Sequence, residues 1–571
     1  MKPSFVLRAR ILCGLFAAIA ILLIVRLYFV QVVHGVEYAQ SAMGQYTETS
    51  PGSEDRGTIF FTTKDKQKIS AAVMQTGWRI AIQPANIGDA KEVYAQLSAA
   101  TPIDKDRFFE SAAKKGDPYE EVAYRVGGIA AEKVRAQKIP GVLLVQDQWR
   151  YYPAGILAAQ TIGFMGYKGD TKTGVYGLER QYQDTLTEPT SGLYVNPFAE
   201  IFTNVQALVA QNPSSYHGSI VTSIEPTVEA QLEKTLDAVM AKYSPVLAGG
   251  IIMDPRTGEI YAIAARPTFD PNTYNAVDDQ SVFGNPLVEG RFELGSIMKP
   301  LTVAAGIDAG VVTPSTTYND TGCIIRSTYK ICNFDLKARG VVPVQEILSQ
   351  SLNVGVSFVA DKMGHPAFTR YMKAYGFGEK TGIDLPNEVT GDIGILGSGA
   401  GPEVNYDTAS FGQGVAVSPI EMVRALSVLA NGGKLPKPHV VTGIKFENGV
   451  TRAIVVPDGA QVIKPQTAET VTNMLITVFD KALLEGDLKM EHYSFAAKTG
   501  TAQIPMPGGG YYPGSYLHSF FGYFPAHKPR FIIFLFAIKP QGQQYASATL
   551  AHPFMDIAKF LINYYNIPPD R

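Results

Sequence analysis

Cysteine and histidine are scarce in this chain. Its 571 residues hold three cysteines and eight histidines, with no Cys-x-x-Cys and no His-Glu-x-x-His spacing, so no metal site is indicated and no cofactor is expected. Neither sign of charge is in excess, with 50 Lys and Arg against 52 Asp and Glu. No basic stripe forms, which argues against nucleic acid as a partner. The sparse hydrophobicity of a disordered chain is also missing, since 46% of residues are apolar and 11% aromatic. A globular protein of about two to four domains is expected.

Long apolar runs are absent except at the start. Lys2, Arg8 and Arg10 precede an uninterrupted stretch from Ile11 to Val25, and after Arg26 the segment Leu27 to Val33 continues it. Fifteen helical residues rise about 22 Å, short of a hydrocarbon core of about 30 Å, so the second segment must be used as well. Arg26 can then reach the far interface near Tyr28. Basic residues ahead of the run place the N-terminus in the cytoplasm and the bulk of the chain outside. The alternative is a cleavable signal peptide, but the small-x-small site it needs is missing where "RLYFVQVVHGVEYAQ" reads as a continuing helix. An uncleaved anchor over residues 1–46 is expected.

Beyond the polar break "YTETSPGSEDRG", "RGTIFFTTKDKQKISAAVM" alternates around a Lys-Asp-Lys turn like a hairpin, and Ala90 to Lys138 reads as short helices with loops. A second boundary falls near "QNPSSYHG", dividing residues 47–215 from 216–571. The later part begins with a strand and a helix whose Val228, Leu232, Leu236 and Val239 share one face. Next comes the hairpin "AGGIIMDPRTGEIYAIAARP", turning at Asp254 to Gly258. Strands return near the end in "YSFAAKTGTAQI", "SYLHSFFGYFPA" and "RFIIFLFAIKP", before a closing amphipathic helix. The pattern predicts an α+β fold in which both ends of the domain build one antiparallel sheet around a helical insertion.

Ser296 and Lys299 stand three apart in "GRFELGSIMKPLTVAAG". Chance supplies such a pair about once or twice in a chain of this length, and Ser111-Ala-Ala-Lys114 repeats it. Context separates them. Pro300 suits the first turn of a helix, and a helix starting at Ser296 would place the Lys299 amine within reach of the serine hydroxyl. Desolvation or a second cation would make that amine a neutral base, and the helix N-terminus would favour a developing oxyanion. The Ser111 motif instead runs into the polar helix end Lys115-Gly116-Asp117-Pro118. In "EILSQSLNVGVSFVA", Ser351 and Asn353 offer a proton carrier and an amide. Lys498-Thr499-Gly500 leaves a predicted strand that carries small and polar residues, Thr501 included, along which an extended peptide can lie. Lys172-Thr173-Gly174 and Lys380-Thr381-Gly382 repeat the triplet in glycine-rich turns.

Ser-x-x-Lys, Ser-x-Asn and Lys-Thr-Gly in that order resemble the signature of penicillin-binding proteins and serine β-lactamases. The chain resembles the class B penicillin-binding proteins, monofunctional peptidoglycan D,D-transpeptidases, with the division (FtsI-like) type favoured over the elongation type by "SLNVG" and the lack of a long C-terminal extension. "RGTIF", "RYYPAGILAAQTIGF" and "GVYGLERQYQDTL" look like the three motifs of that family's elongated pedestal, or dimerisation-like, domain. Leu352 stands where small or polar residues are commoner, Ala497 replaces the usual glycine, and "FFTTKDKQK" replaces an Asp-Arg-Asn-Gly turn.

The resemblance implies an anchor over 1–46, a pedestal over 47–215 and a transpeptidase domain over 216–571. It implies a bacterial inner-membrane protein with a single pass and a periplasmic catalytic domain. The implied substrate is a peptidoglycan stem peptide ending in D-Ala-D-Ala. Ser296 would be the nucleophile, Lys299 its base, Ser351 a proton carrier, Asn353 the holder of the peptide and the group that orients Lys299, and Lys498 a source of positive potential. Thr499, Gly500 and Thr501 would bind substrate, with the Thr499 and Thr501 hydroxyls on its carboxylate and the Ser296 and Thr501 N–H groups on the oxyanion. Implied partners are a SEDS-family membrane glycosyltransferase (FtsW/RodA-like) and other divisome or elongasome proteins, with β-lactams as inhibitors. A β-lactamase or penicillin sensor shares the three motifs but has no use for the pedestal, and a non-catalytic scaffold would have lost Ser296 or Lys299. Cys323 and Cys332 flank "IIRSTYKI" at a separation a hairpin can bridge. A disulfide and two buried thiols are both compatible with that spacing.

Overall fold

The structure is a computed structural model describing residues 56–169, 171–187, 217–397, 399–446 and 449–571, with Leu23. Apart from Leu23, the expected anchor over 1–46 lies outside the described residues. Among the described residues no helix is long and apolar enough to cross a membrane. Two compact units form. The larger holds Arg56–Gln75, Trp149–Leu186 and His217–Arg571, and the described residues of the smaller are Leu23, Thr76–Gln148 and Thr187.

In the larger unit, α1 (Pro226–Tyr243) starts where the Glu225 carboxylate accepts the Val228 N–H and Pro226 has no donor to leave unpaired. Its predicted apolar face, Val228, Leu232, Leu236 and Val239, is buried. Strands β1 (Leu247–Met253) and β2 (Ile260–Arg266) form the predicted hairpin, whose turn needs the positive φ of Gly258. Helices α2 (Lys299–Asp308) and α3 (Asn353–Met363) belong to the helical insertion. The chain then returns as β3 (Ala496–Pro505), β4 (Tyr511–Phe524) and β5 (Phe531–Ile538), and ends in α4 (Ala546–Tyr565).

The strand order is β3-β4-β5-β1-β2, antiparallel throughout. It is the sheet the sequence predicts, assembled from both ends of the domain. Ile251, Ile532, Phe534 and Phe536 join the core that contains Leu301 and Val359 of the insertion. Their neighbours Ile252, Ile533 and Leu535 join the opposite core with Leu232 of α1 and Phe554 of α4. Covering both faces explains why β1 and β5 read as continuous apolar runs instead of alternating ones.

The three pedestal-like motifs meet inside this same unit. Arg56 Nε donates to Glu179 Oε2 (2.7 Å) and Arg150 Nε to Glu179 Oε1 (2.6 Å), with all three side chains 2% exposed or less. Burial alone would raise the Glu179 pKa, but the two guanidiniums outweigh it and hold the carboxyl below its ordinary range. Strand Ile59–Thr62 pairs with Lys68–Ala72, as the hairpin reading predicts, and runs parallel to Ser219–Thr222. A further hairpin sets Cys323 directly opposite Cys332, and the two form a disulfide.

The smaller unit has the predicted short helices, Ala90–Ser98, Lys105–Ala113 and Gly128–Gln137, the first two capped by Asp89 and Asp104. It also has a strand the helical reading passes over, Glu120–Val126, paired with the Trp78–Ile82 stretch. Ile80, Leu97, Phe108 and Val134 share its core.

Candidate active site

Ser296 sits in a 3₁₀ turn, Gly295–Met298, and the α-helix begins only at Lys299. The expected helix start at Ser296 is therefore corrected by one turn. The tighter winding strengthens the pairing, because residues three apart eclipse in a 3₁₀ turn and the Lys299 N–H donates to the Ser296 carbonyl. Ser296 is partly exposed while Gly295, Ile297, Met298 and Lys299 around it are buried.

Two glycines bring this turn against β3. Gly295 has φ +67°, and a Cβ there would lie 3.1 Å from the Thr501 carbonyl and the Ala502 side chain. A Cβ on Gly500 would stand 2.3 Å from Ser519 Oγ and 2.7 Å from the Leu294 carbonyl. Any larger residue at either place would push the serine away from the strand. Ser519, which no motif signals, donates to the Leu294 carbonyl (2.7 Å) and ties β4 to the same turn.

Lys299 is fully buried, and its Nζ donates to the Ser351 carbonyl (2.5 Å) and Ser351 Oγ (3.2 Å). Burial, with the Lys498 charge second, pushes its pKa well below the ordinary lysine value. Lys498, on β3, donates to the same Ser351 Oγ (3.2 Å) and to the Thr499 carbonyl (2.9 Å), and burial lowers it to about 7. One hydroxyl thus links two desolvated amines, with no carboxylate among the hydrogen-bond partners of either. Ser351 holds φ +56°, a left-handed conformation costly for a serine. Its carbonyl and hydroxyl are held there by Lys299.

Asn353 is the first residue of α3, and its Nδ2 donates to the Cys332 carbonyl (2.7 Å). Thr499 and Thr501 are partly exposed along β3, an edge strand whose other side pairs with β4. Thr501 Oγ1 accepts the Ala546 N–H (3.1 Å) at the start of α4, where Tyr545 supplies no side-chain cap. That leaves its hydroxyl hydrogen for a ligand. Glu293, three residues before Ser296, accepts from Tyr511 OH (3.0 Å), and burial pushes its carboxyl pKa up. Sequence reasoning missed this contact, which holds the β3–β4 hairpin next to its turn.

The repeated triplets lie elsewhere. Ser111 Oγ and Lys114 Nζ both bond Glu120 (2.9 and 2.8 Å) in the smaller unit. Lys172 is in a short hairpin opposite Tyr167, and Thr381 and Gly382, following Lys380, donate to Glu388. Among the described residues no group of three or more His, Cys, Asp or Glu could hold a metal ion.

A partly exposed hydroxyl on a tight turn, a buried amine three residues on, a bridging serine, a second buried lysine and an open strand edge make a site suited to acyl transfer from an extended peptide. Comparison with known proteins agrees. The signature of the penicillin binding protein transpeptidase domain matches residues 248–559, and that of the penicillin-binding protein dimerisation domain matches residues 55–195. The chain is 27% identical to the stage V sporulation protein D of Bacillus subtilis (strain 168), over 96% of this chain and 84% of that one. It is 24% identical to the peptidoglycan D,D-transpeptidase FtsI of Buchnera aphidicola subsp. Schizaphis graminum, over 98% and 95%. The crystal structure of penicillin binding protein 2X from Streptococcus thermophilus superimposes with a TM-score of 0.71 at 21% identity, covering 90% of this chain and 80% of that one.

Proposed function

The chain belongs to the penicillin-binding protein transpeptidase family, and on that premise we propose that it is a serine-type peptidoglycan D,D-transpeptidase acting through Ser296. The observation that carries the assignment of roles is the Ser351 hydroxyl held between two buried lysines. Lys299, whose burial and the nearby Lys498 charge disfavour its protonated form, takes the Ser296 proton. The freed oxygen attacks the penultimate carbonyl of a stem peptide ending in D-Ala-D-Ala, and the N–H groups of Ser296 and Thr501 receive the oxyanion. Ser351 relays the proton to the departing D-alanine. Asn353 holds the peptide, Thr499 and Thr501 receive the terminal carboxylate, and the Lys498 charge favours that carboxylate while disfavouring protonation of Lys299. An amine from a neighbouring strand then resolves the acyl-enzyme into a cross-link.

A labelled penicillin tests this directly. The ring stays attached after acylation, so a long-lived ester should map to the Ser296 peptide by mass spectrometry, and Ser296→Ala should abolish it. An ester elsewhere overturns the assignment, and one that hydrolyses within seconds points to a β-lactamase.

The proposal extends to placement and partners. Residues 1–46 anchor the chain in the bacterial cytoplasmic membrane with the N-terminus inside, residues 47–215 serve as a pedestal, and residues 216–571 work outside. Lys2, Arg8 and Arg10 ahead of the apolar run support that orientation. External protease on spheroplasts should digest the chain from Tyr46 onward, and protection of the large domain would overturn it. Glycan polymerisation falls to a SEDS-family membrane glycosyltransferase working beside other divisome or elongasome proteins. The septal role is the one "SLNVG" and the likeness to FtsI-named relatives support. A fluorescent fusion forming mid-cell rings fits it, whereas side-wall patches indicate elongation.

A further inference from the structure

Asn353 opens α3, and the opening turn is held from outside the helix. Its own amide donates to the Cys332 carbonyl (2.7 Å). The next N–H, that of Val354, donates to Asn333 Oδ1 (3.2 Å). Asn333 Nδ2 donates in turn to both Asp320 oxygens (2.9 Å each), and Asp320 Oδ1 also accepts the Gly322 N–H (2.7 Å). Asp320 and Asn333 are each 1% exposed. These bonds converge on the base of the hairpin closed by Cys323–Cys332, where the Asn333 N–H also donates to the Gly322 carbonyl (2.9 Å).

The arrangement answers a defect in the sequence. A helix's early N–H groups are ordinarily satisfied by the N-cap side chain. Here that residue is Leu352, which is fully buried and offers no acceptor. Asn333 supplies the missing acceptor from an earlier segment, and Asp320 fixes Asn333 in the one orientation that aims Oδ1 at the helix and Nδ2 away from it. Because Cys332 is the adjacent residue, whatever holds Asn333 also sets where the Asn353 amide is tied.

We infer that Asp320 and Asn333 are positioning residues for acyl transfer, acting through Asn353. The inference rests on the reading of Asn353 as the residue that holds the substrate peptide. A displacement of the Asn353 amide by ~1 Å should cost about 10- to 100-fold in acylation without any reacting group being touched.

The test uses the full chain and labelled benzylpenicillin, whose side-chain amide stands in for a peptide bond. The second-order acylation rate and the melting temperature are measured for Asn333→Ala in the native and Asn353→Ala backgrounds. The expected loss is about 10- to 100-fold in the native background and under about twofold once Asn353 is gone, because residues acting through one group are not additive. The melting temperature should fall by the same amount in both backgrounds. Asp320→Asn, nearly isosteric, should show the same pattern at smaller size and carries the cycle if Asn333→Ala does not fold. An equal loss in both backgrounds, or no loss in the native one, overturns the positioning role. Absence of any Ser296 ester in the unaltered chain is a separate outcome, and it would overturn the transpeptidase reading along with the inference.

Discussion

Two buried places in the larger unit each hold two cations, and they are built to opposite ends. At one, Arg56 and Arg150 share the Glu179 carboxylate, so each charge has a partner. At the other, Lys299 and Lys498 share only the Ser351 hydroxyl, so neither has one. A guanidinium cannot shed its proton in a protein and must be neutralised by an anion when buried. An ammonium can, and burial favours its neutral form. The first site therefore suits holding the fold together, and the second suits the general base that the proposed function assigns to Lys299. Residue type, Arg or Lys, and the presence of an anion together decide which outcome a buried cation has.

The largest expected effect breaks the first site. Glu179→Ala leaves two buried guanidiniums uncompensated and should cost about 3–5 kcal/mol of stability, read as loss of folded protein or a collapsed denaturant midpoint. Charge reversal at Arg56 should likewise destroy penicillin acylation of the purified chain, because the side chain is buried against Glu179.

The second prediction sharpens the contrast from the other side. Lys299→Met removes the base and should slow penicillin acylation by about 10² to 10⁴, yet its denaturant midpoint should hold or rise, since a desolvated amine is replaced by an apolar side chain. A large fall in the midpoint would show that Lys299 supports the fold as the arginines do.

The third prediction concerns pH. Lys498 is lowered to about 7 in the folded state, against about 10.4 when unfolded. Between those values the unfolded chain binds the extra proton, so this group makes stability rise with pH from about 7 upward, with no dependence below it. Denaturant midpoints should increase from pH 7 to pH 9, and Lys498→Met should flatten that increase. No change of slope in the variant would count against the low value.

The smallest effects belong to the repeated motifs. Ser111→Ala removes one partly buried hydrogen bond to Glu120 and should cost about 1 kcal/mol, with acylation unchanged. Lys172→Ala and Lys380→Ala should also leave acylation unchanged, whereas Lys498→Ala should depress it.

Much of the catalytic core was legible because its chemistry is written in short local patterns. Ser296, Lys299 and Lys498 announce themselves by spacing, by Pro300 and by the strand that carries Lys498, and the sheet follows from apolar runs. The contacts that complete the site join segments far apart in sequence. Nothing near Thr501 reveals that its hydroxyl caps α4, and Ser519 is one small residue in an apolar strand. Nothing near Glu179 in the sequence shows that Arg56 and Arg150 meet its carboxylate. Strand Glu120–Val126 opens with two glutamates and buries only Val122, Ala123 and Val126 of its seven residues, too weak a pattern to outvote the helices around it. The compact units interleave along the chain, which a division at single cut points does not express. Cys323 and Cys332 could be placed on one hairpin, but whether they bonded depended on register, and register is set by the fold.

The strand order has a consequence for the newborn chain. Strand β1 leaves the ribosome with β2 beside it, but its other neighbour, β5, begins only at Phe531. At synthesis rates of about 5–20 residues per second, the roughly 280 intervening residues take about 15 to 55 s. Through that interval the apolar edge of β1 has no strand to pair with, and the cores on both sides of the sheet lack the residues of β5 that they share. A chain released early would carry Ser296, Lys299, Ser351 and even Lys498, yet hold none of them in place.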